Sequence, residues 1–198
     1  MIKIKTPLIC YDTTTGDYIE SDETLSSDYN IKKYKINSDG SLNVFDDVEL
    51  YNSNLNFLPF EFHYVGRHFE CNDNNLTDLK GAPDYVGRDF DCFRNKLTDL
   101  KGCPEYVGED FNCSINNNLE SLKGGPSYVG RNFNCSDNKN NLTNLKGAPS
   151  YVGGEFYCHS KNLTNLKGAP SYVGGCFYCH DNKNLTDYRN SFLSGYWY

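Results

Sequence analysis

The sequence predicts a mainly β fold, a solenoid of stacked coils with short parallel strands, one per coil, and few or no long helices. Two observations predict it. The chain repeats itself at a short, nearly constant spacing, and each copy but the last joins one alternating apolar segment to a chain-breaking Gly-x-Pro step. The copies begin at valines spaced by 21, 21, 22, 23 and 21 residues. These are Val65, Val86, Val107, Val129, Val152 and Val173.

Each part of the repeat predicts one element of a coil. In the Phe-x-Cys segment, both apolar residues fall on the same side of an extended strand. A polar turn and a Leu-x-x-Leu segment follow, and too few residues remain for a long helix. One coil cannot bury its own apolar residues, whereas coils stacked about 4.8 Å apart can. The longer copies carry their extra residues in Asn-rich turns at 116–118 and 138–141, where insertions are tolerated.

Two columns of apolar residues are predicted to form the core. For the cysteines the alternative is a set of disulfides between coils, but parallel side chains and a reducing compartment favour free, buried thiols. The columns are Phe69, Phe90, Phe111, Phe133, Phe156 and Phe177, and Cys71, Cys92, Cys113, Cys135, Cys158 and Cys179.

An asparagine after each strand is predicted to form a ladder. Its amide both donates and accepts, so it can satisfy turn backbone groups in its own coil and the next. Contact with a ligand is the alternative role. In the copy that begins at Val152, either Ser160 or Lys161 takes this position. The other ladder residues are Asn74, Asn95, Asn116, Asn138 and Asn182.

The pattern Phe-x-Cys-x-x-Asn-x-Leu-x-x-Leu resembles the leucine-rich-repeat consensus. The short period and the Pro-containing return are similar to the bacterial-effector subclass. The motif Leu-Thr-x-Leu-Lys-Gly-x-Pro-x-Tyr-Val-Gly is similar to the repeat motif of proteins encoded by bacteriophages and large viruses. This resemblance covers roughly residues 36–190. It implies a non-enzymatic protein-interaction module that acts against a host factor, such as a defence protein.

The repeat divides the chain into three regions. Residues 44–186 are predicted to form a leucine-rich-repeat solenoid of about seven coils. Residues 1–43 form an N-terminal cap or a lead-in, and residues 187–198 form a C-terminal cap or a tail. Open solenoid ends expose core and strand edges, so these regions either cover the ends or promote homo-oligomers through them.

Composition narrows the class of partner. The chain has 198 residues and a formal net charge of -7. This disfavours nucleic acid and anionic membranes as partners, because binding phosphates draws on positive surface. No apolar run is long enough to span a bilayer, and no secretory signal is evident, so we expect a cytoplasmic protein. No catalytic pairing, cofactor motif or complete metal site stands out.

The strand residues that point away from the core vary between copies, so we predict that they bind the partner. The early coils contribute acidic residues, with Phe93 and Ile115 as exposed apolar candidates, and the late coils contribute aromatic residues. A plain solvated sheet face is the alternative. The predicted partner-binding residues are Asp89, Asp91, Phe93 and Asp110 in the early coils, and Glu155, Tyr157, His159, Tyr178 and His180 in the late coils.

Two other functions stay open. The chain could act as a sponge, that is, sequester a nucleotide-like small molecule. Such a molecule would be held between Tyr157, Tyr178 and the two nearby histidines. The acidic early coils could instead mimic nucleic acid.

A row of lysines and a row of tyrosines could bind single-stranded nucleic acid. We favour a solvated lysine row, with the tyrosines packed inward beside valine. The rows are Lys80, Lys101, Lys123, Lys146 and Lys167, and Tyr64, Tyr85, Tyr106, Tyr128, Tyr151 and Tyr172.

Two short patterns point to metal chemistry. Residues 176–180 match the Cys-x-x-Cys-His pattern to which c-type haem is attached. Because Cys179 belongs to the core alternation, Cys176 should face the opposite side, which disfavours haem. His159 and His180 provide half of a zinc site, with Glu155 or Asp181 as a candidate third ligand. Nothing in the sequence fixes a third ligand, so we favour two interface histidines over a metal site.

Overall fold

The computed structural model describes residues 29–138, 142–159 and 162–185, together with the backbone of two short strands nearer the N-terminus. These two are β1 (Cys10–Tyr11) and β2 (Tyr18–Ile19), which pair antiparallel. The described residues form strands and turns and contain no helix. The region at 187–198 and the ladder candidates Ser160 and Lys161 lie outside the described residues.

The predicted strand of each coil belongs to a parallel sheet, named here the Phe sheet. Each phenylalanine pairs in register with the phenylalanine of the next coil, so the predicted stacking of like residues is confirmed. Seven strands make six turns of the solenoid. They are β5 (Val48–Glu49), β7 (Phe69–Glu70), β9 (Phe90–Asp91), β11 (Phe111–Asn112), β13 (Phe133–Asn134), β15 (Phe156–Tyr157) and β17 (Phe177–Tyr178).

Each coil also contributes a second short strand, to a sheet named here the Tyr–Val sheet. The sheet begins with an antiparallel hairpin and continues with parallel pairs. This strand was not predicted, because two residues are too few to show a period. The strands are β3 (Tyr34–Ile36), β4 (Leu42–Val44), β6 (Phe62–Val65), β8 (Tyr85–Val86), β10 (Tyr106–Val107), β12 (Tyr128–Val129), β14 (Tyr151–Val152) and β16 (Tyr172–Val173).

The core lies between the two sheets and the return segments. The rings of the phenylalanine column stand in single file, with successive centroids 4.8–5.4 Å apart and nearly parallel planes. Valine, leucine and cysteine side chains fill the remaining space and are buried, except that Cys179 in the last described coil is half-buried. The cysteine column is unbridged, as predicted. Burial raises the pKa of the Cys92 thiol well above its usual value, which keeps that thiol protonated.

The tyrosine row lies on the outside of the Tyr–Val sheet, so the prediction that it packs inward is wrong. Strand residues alternate in direction; the valine takes the inward position and the tyrosine the outward one. The side chain of Tyr172 is 43% exposed, whereas that of Val173 is 1% exposed. From Tyr85 to Tyr172 the rings stack with centroids 4.8 Å apart.

The asparagine ladder is confirmed. Nδ2 of Asn116 donates to the carbonyl oxygens of Cys92 and Cys113, both at 3.1 Å. Its Oδ1 accepts from the backbone N–H groups of Asn95 and Leu97 at 3.1 and 3.3 Å. The ladder therefore ties each coil to the preceding one rather than to the next. The same donor contacts, to its own coil and to the preceding one, recur at Asn74, Asn95, Asn138 and Asn182.

A glycine follows each valine, at the corner that joins the Tyr–Val sheet to the Phe sheet. A Cβ atom on Gly108 would lie 2.0 Å from the carbonyl oxygen of Gly87 in the preceding coil. This is far inside van der Waals contact, so the glycine is required by the close approach of two coils.

We expect Gly108→Ala to lower the free energy of unfolding by about 3 kcal/mol, because the added methyl group must push two coils apart. Urea denaturation at 25 °C followed by circular dichroism measures this loss. Gly66→Ala is the matched control, since its Cβ would lie 3.3 Å from the carbonyl oxygen of Phe45. We expect a loss of about 1 kcal/mol or less there. Equal losses in the two variants would contradict the steric explanation.

Candidate partner-binding face

The outward side of the Phe sheet carries three columns of side chains. The pre-Phe column precedes the phenylalanine, the post-Phe column follows it, and the post-Cys column follows the cysteine. All nine predicted partner-binding residues lie in these columns. Asp89, Asp110 and Glu155 lie in the pre-Phe column, Asp91, Tyr157 and Tyr178 in the post-Phe column, and Phe93, His159 and His180 in the post-Cys column.

Four aromatic rings of the late coils form one continuous surface, named here the aromatic patch. Tyr157 stacks on Tyr178 with centroids 4.8 Å apart. His159 stacks on His180 at 4.7 Å. The edge of one ring meets the face of the other between Tyr178 and His180, at 6.5 Å and 89°. The patch exists because the parallel register of β15 and β17 places like residues side by side.

Glu155 holds both tyrosines of the patch. The hydroxyl of Tyr157 donates to Oε2 of Glu155, and the hydroxyl of Tyr178 lies 3.5 Å from Oε1. The hydrogen bond to Glu155 raises the pKa of Tyr157 well above its usual value. A hydrogen bond with Cys176 is the main cause that raises the pKa of Tyr178 to about 12, and Glu155 adds to it. Both phenols therefore stay neutral donors, and their contacts with Glu155 orient the two rings.

Each of the two histidines lies next to an acidic residue, which for His159 belongs to the preceding coil and for His180 to its own turn. Nε2 of His159 is 3.9 Å from Asp137, and Nε2 of His180 is 3.8 Å from Asp181. Burial is the main cause that lowers the pKa of His159, and His180 adds to it. Nδ1 of His159 is buried without a hydrogen-bond partner among the described residues. No cluster of three or more His, Cys, Asp or Glu side chains that could hold a metal ion occurs there either.

The pre-Phe column is a second side-chain ladder, which the sequence analysis missed. Oδ1 of Asp89 accepts from the backbone N–H of Asp110 at 2.9 Å, and Oδ1 of Asp110 accepts from the N–H of Asn132 at 2.9 Å. The second oxygen of Asp89 lies 3.0 Å from Nδ1 of His68. The recurrence of Asp and Asn at this position could have indicated this ladder, because both side chains offer an oxygen that accepts a hydrogen bond. Asp89 and Asp110 therefore stabilise the stack, whatever else they bind.

In the early coils the post-Phe column places Glu49, Glu70 and Asp91 on adjacent strands. Partial burial raises the pKa of Asp91 to about 6, and the charges of Asp89 and Glu70 add to this effect. Burial, together with the charge of Glu49, also raises the pKa of Glu70. Crowded carboxylates here oppose the stability of the folded state at neutral pH.

Phe93, one of the apolar candidates of the early coils, is half-buried. The guanidinium of Arg94 lies 5.8 Å from the centre of its ring. This end of the face therefore differs from the aromatic patch, because its aromatic ring is paired with a cation rather than with a second ring.

Comparison of the chain with models of protein families, with curated proteins and with solved structures found no match. No membrane-spanning helix is present over the described parts of the chain. Function is therefore inferred from the geometry of this chain.

We expect Asp91→Asn to raise the free energy of unfolding by about 1–2 kcal/mol at pH 7.5, because the raised pKa of Asp91 makes its ionised form unfavourable in the folded state. The folded pKa of Asp91, about 6, lies above the usual aspartate value of 3.8. The folded state therefore keeps a proton that the unfolded chain releases, and stability falls as pH rises through this window. Urea denaturation at pH 4 and pH 7.5 should show the gain only at the higher pH.

The reciprocal variant is Asn112→Asp, one coil further along the same column. It adds a carboxylate beside Asp91, so it should destabilise the protein more at pH 7.5 than at pH 4. Effects of either variant that do not depend on pH would rule out the crowding of carboxylates as their cause.

Proposed function

We propose that this chain is a non-enzymatic protein-interaction module that binds a protein partner through the aromatic patch. The observation that carries this proposal is the stacking of four half-buried or exposed rings, of which the two tyrosines contact Glu155 through their hydroxyls. Tyrosine offers a large contact area, few rotatable bonds and a polar tip, which makes it a frequent anchor of protein interfaces. Rings that are already fixed lose little further conformational entropy on binding.

The resemblance to leucine-rich repeats of bacteriophages and large viruses supports a more specific role. In this role the chain acts in the cytoplasm of a host cell and antagonises a host protein, such as a defence factor. A negative net charge of -7 supports a partner other than nucleic acid.

The geometry gives less support to a nucleotide sponge. A flat base between two rings needs contacts on both faces, which requires about 7 Å between the rings. The centroids of Tyr157 and Tyr178 are 4.8 Å apart. A base would have to separate rings that Glu155 holds together.

Mimicry of nucleic acid is also less well supported. One oxygen each of Asp89 and Asp110 accepts a backbone hydrogen bond within the stack. The raised pKa of Asp91, about 6, further weakens the negative charge of this region in mildly acidic solution.

The test replaces the aromatic patch with residues that the same columns already use. Asn112 and Asn134 occupy the tyrosine column, and Ser114 and Ser136 occupy the histidine column. The variant Tyr157→Asn, Tyr178→Asn, His159→Ser, His180→Ser should therefore stay folded, which circular dichroism and urea denaturation can verify. Proteins captured from host-cell lysate by the native chain are compared with those captured by this variant, and each candidate partner is then purified.

We expect the variant to bind the purified partner at least about 30-fold more weakly in calorimetry, which corresponds to the loss of one strong anchor or more. Asp99→Asn, in a return segment away from the patch, introduces the residue found at the equivalent position 144; it is the control and should bind as the native chain does. The proposal fails if the folded variant retains native affinity, or if the native chain captures no protein that the variant loses.

A further inference from the structure

A second surface lies where each strand of the Phe sheet turns toward its ladder asparagine. The residue before this asparagine is held in the left-handed region of φ in coil after coil. Residues of this position include Asp73, Arg94, Asp137 and Asp181, with φ between 50° and 64°. Aspartate tolerates this conformation better than most residues do, because its short polar side chain hydrogen-bonds locally.

Ile115 occupies the same position with a φ of 56°. A β-branched residue is strongly disfavoured there, because its side chain crowds the backbone. The backbone of the turn does not require isoleucine. The N–H of Ile115 donates to Ser136 at 3.2 Å, just as the N–H of Asp137 donates to His159 at 3.0 Å. The side chain is also half-exposed rather than part of the core. The fold therefore gives no reason for an apolar side chain at this strained position.

Ile115 forms one wall of a surface cavity of about 400 Å³. Arg94 and Lys96 of the preceding coil line it, together with Asn117 and Asn118 of the same coil. The insertion that makes this coil 22 residues long falls at 116–118, within the cavity wall. Two departures from the repeat, the strained isoleucine and the inserted asparagine, thus occur at one place.

The chemistry of the cavity combines positive charge with an apolar wall. Lys96 forms no ion pair within the described ranges of the chain. Arg94 forms one exposed pair, at 3.3 Å from Asp73, and lies over the ring of Phe93. The amides of Asn117 and Asn118 are exposed and can donate hydrogen bonds. An anion with an apolar side chain matches these groups better than a purely polar or purely apolar ligand does.

We infer that the Ile115 cavity binds an organic carboxylate that carries an apolar side chain. Lys96 and Arg94 face the carboxylate, and Ile115 packs against the apolar side chain. Such a ligand is either a free acid or the C-terminal residue of a peptide. The site is separate from the aromatic patch, so this inference does not depend on the proposed function.

The test is an NMR titration of the 15N-labelled full chain with three probes. N-acetyl-leucine carries both features, N-acetyl-leucinamide lacks the charge and N-acetyl-glycine lacks the apolar side chain. We expect N-acetyl-leucine to shift the amide signals of residues 94–96 and 115–118. The other two probes should bind at least about tenfold more weakly, because each of them lacks either the charge-assisted contact or the apolar contact. Equal binding of the acid and the amide, or shifts confined to other residues, would overturn the assignment.

A fourth probe separates the two sources of the carboxylate. This probe is the acetylated peptide Gly-Ala-Leu with a free C-terminus. Tighter binding than N-acetyl-leucine identifies the end of a peptide chain as the ligand, and weaker binding identifies a free acid.

Substitutions taken from neighbouring coils give the sharpest readout. Ile115→Asn removes the strain, so we expect a Tm higher by about 2–4 °C. The same change should weaken binding of N-acetyl-leucine at least about tenfold, since the apolar wall is lost. Ile115→Val keeps both the branching and the wall and should bind within about threefold of the native chain. Lys96→Asn uses the residue found at position 75 and should weaken binding without a gain in Tm.

Asp137→Asn, at the same turn position one coil further along, is the control and should leave binding unchanged. A side chain without a function at position 115 would give a different result: Ile115→Asn would gain stability and still bind the probe. That outcome would refute the inference.

Discussion

Backbone hydrogen bonds between successive coils determine the rest of the structure, because they fix one rise per coil. The N–H of Cys92 donates to Asn112 of the next coil at 2.9 Å, and the N–H of Gly108 donates to Val86 of the preceding coil at 3.0 Å. Bonds of this kind recur on both sheets. With the rise fixed near the spacing of strands in a sheet, every side chain lies over its equivalent. The phenylalanine column, the outer tyrosine row and the asparagine ladder all follow from this one constraint.

The same constraint leaves the charge of many positions free to vary. Asp89 in one coil and Asn132 in another both offer an oxygen to the N–H of the following coil. In the return segments, Asp99 and Asn144 both accept from the N–H of the lysine two residues later. What each position requires is an acceptor atom rather than a charge. The chain can therefore be acidic in its early coils and aromatic in its late coils without any change of fold.

The sequence was sufficient to predict the features that depend on repetition. Like residues at a constant period predicted the core columns, the in-register strands and the free thiols. These are confirmed, except that Cys179 in the last described coil is half-buried rather than part of the core. It was not sufficient where a feature depends on direction or on single atoms. Tyrosine and valine are both apolar enough for a core, and a two-residue strand has no period to show that only Val173 points inward. The ladder formed by Asp89 and Asp110 was hidden, because acidic residues on an outer face suggested binding rather than acceptance of backbone N–H groups.

The candidate site was predicted in part for the same reason. Register alone brings Tyr157 to Tyr178 and His159 to His180, and these pairs were expected from the repeat. The way Glu155 holds both phenols, and the left-handed turn at Ile115, depend on side-chain rotamers and backbone dihedrals. Neither leaves a pattern in the order of residues. These details decide the shape and the hydrogen-bonding groups of the surface, and only the three-dimensional structure shows them.

The exposed tyrosine row has an optical consequence. Phenol rings from Tyr85 to Tyr172, stacked 4.8 Å apart with nearly parallel planes, are close enough for their ultraviolet transitions to couple. Coupled chromophores in a chiral array give a circular-dichroism band that isolated tyrosines lack. The intensity of that band depends on how many neighbouring coils remain in contact. The solenoid therefore carries a built-in reporter of its own assembly, which distinguishes fraying of a few coils from loss of the whole stack.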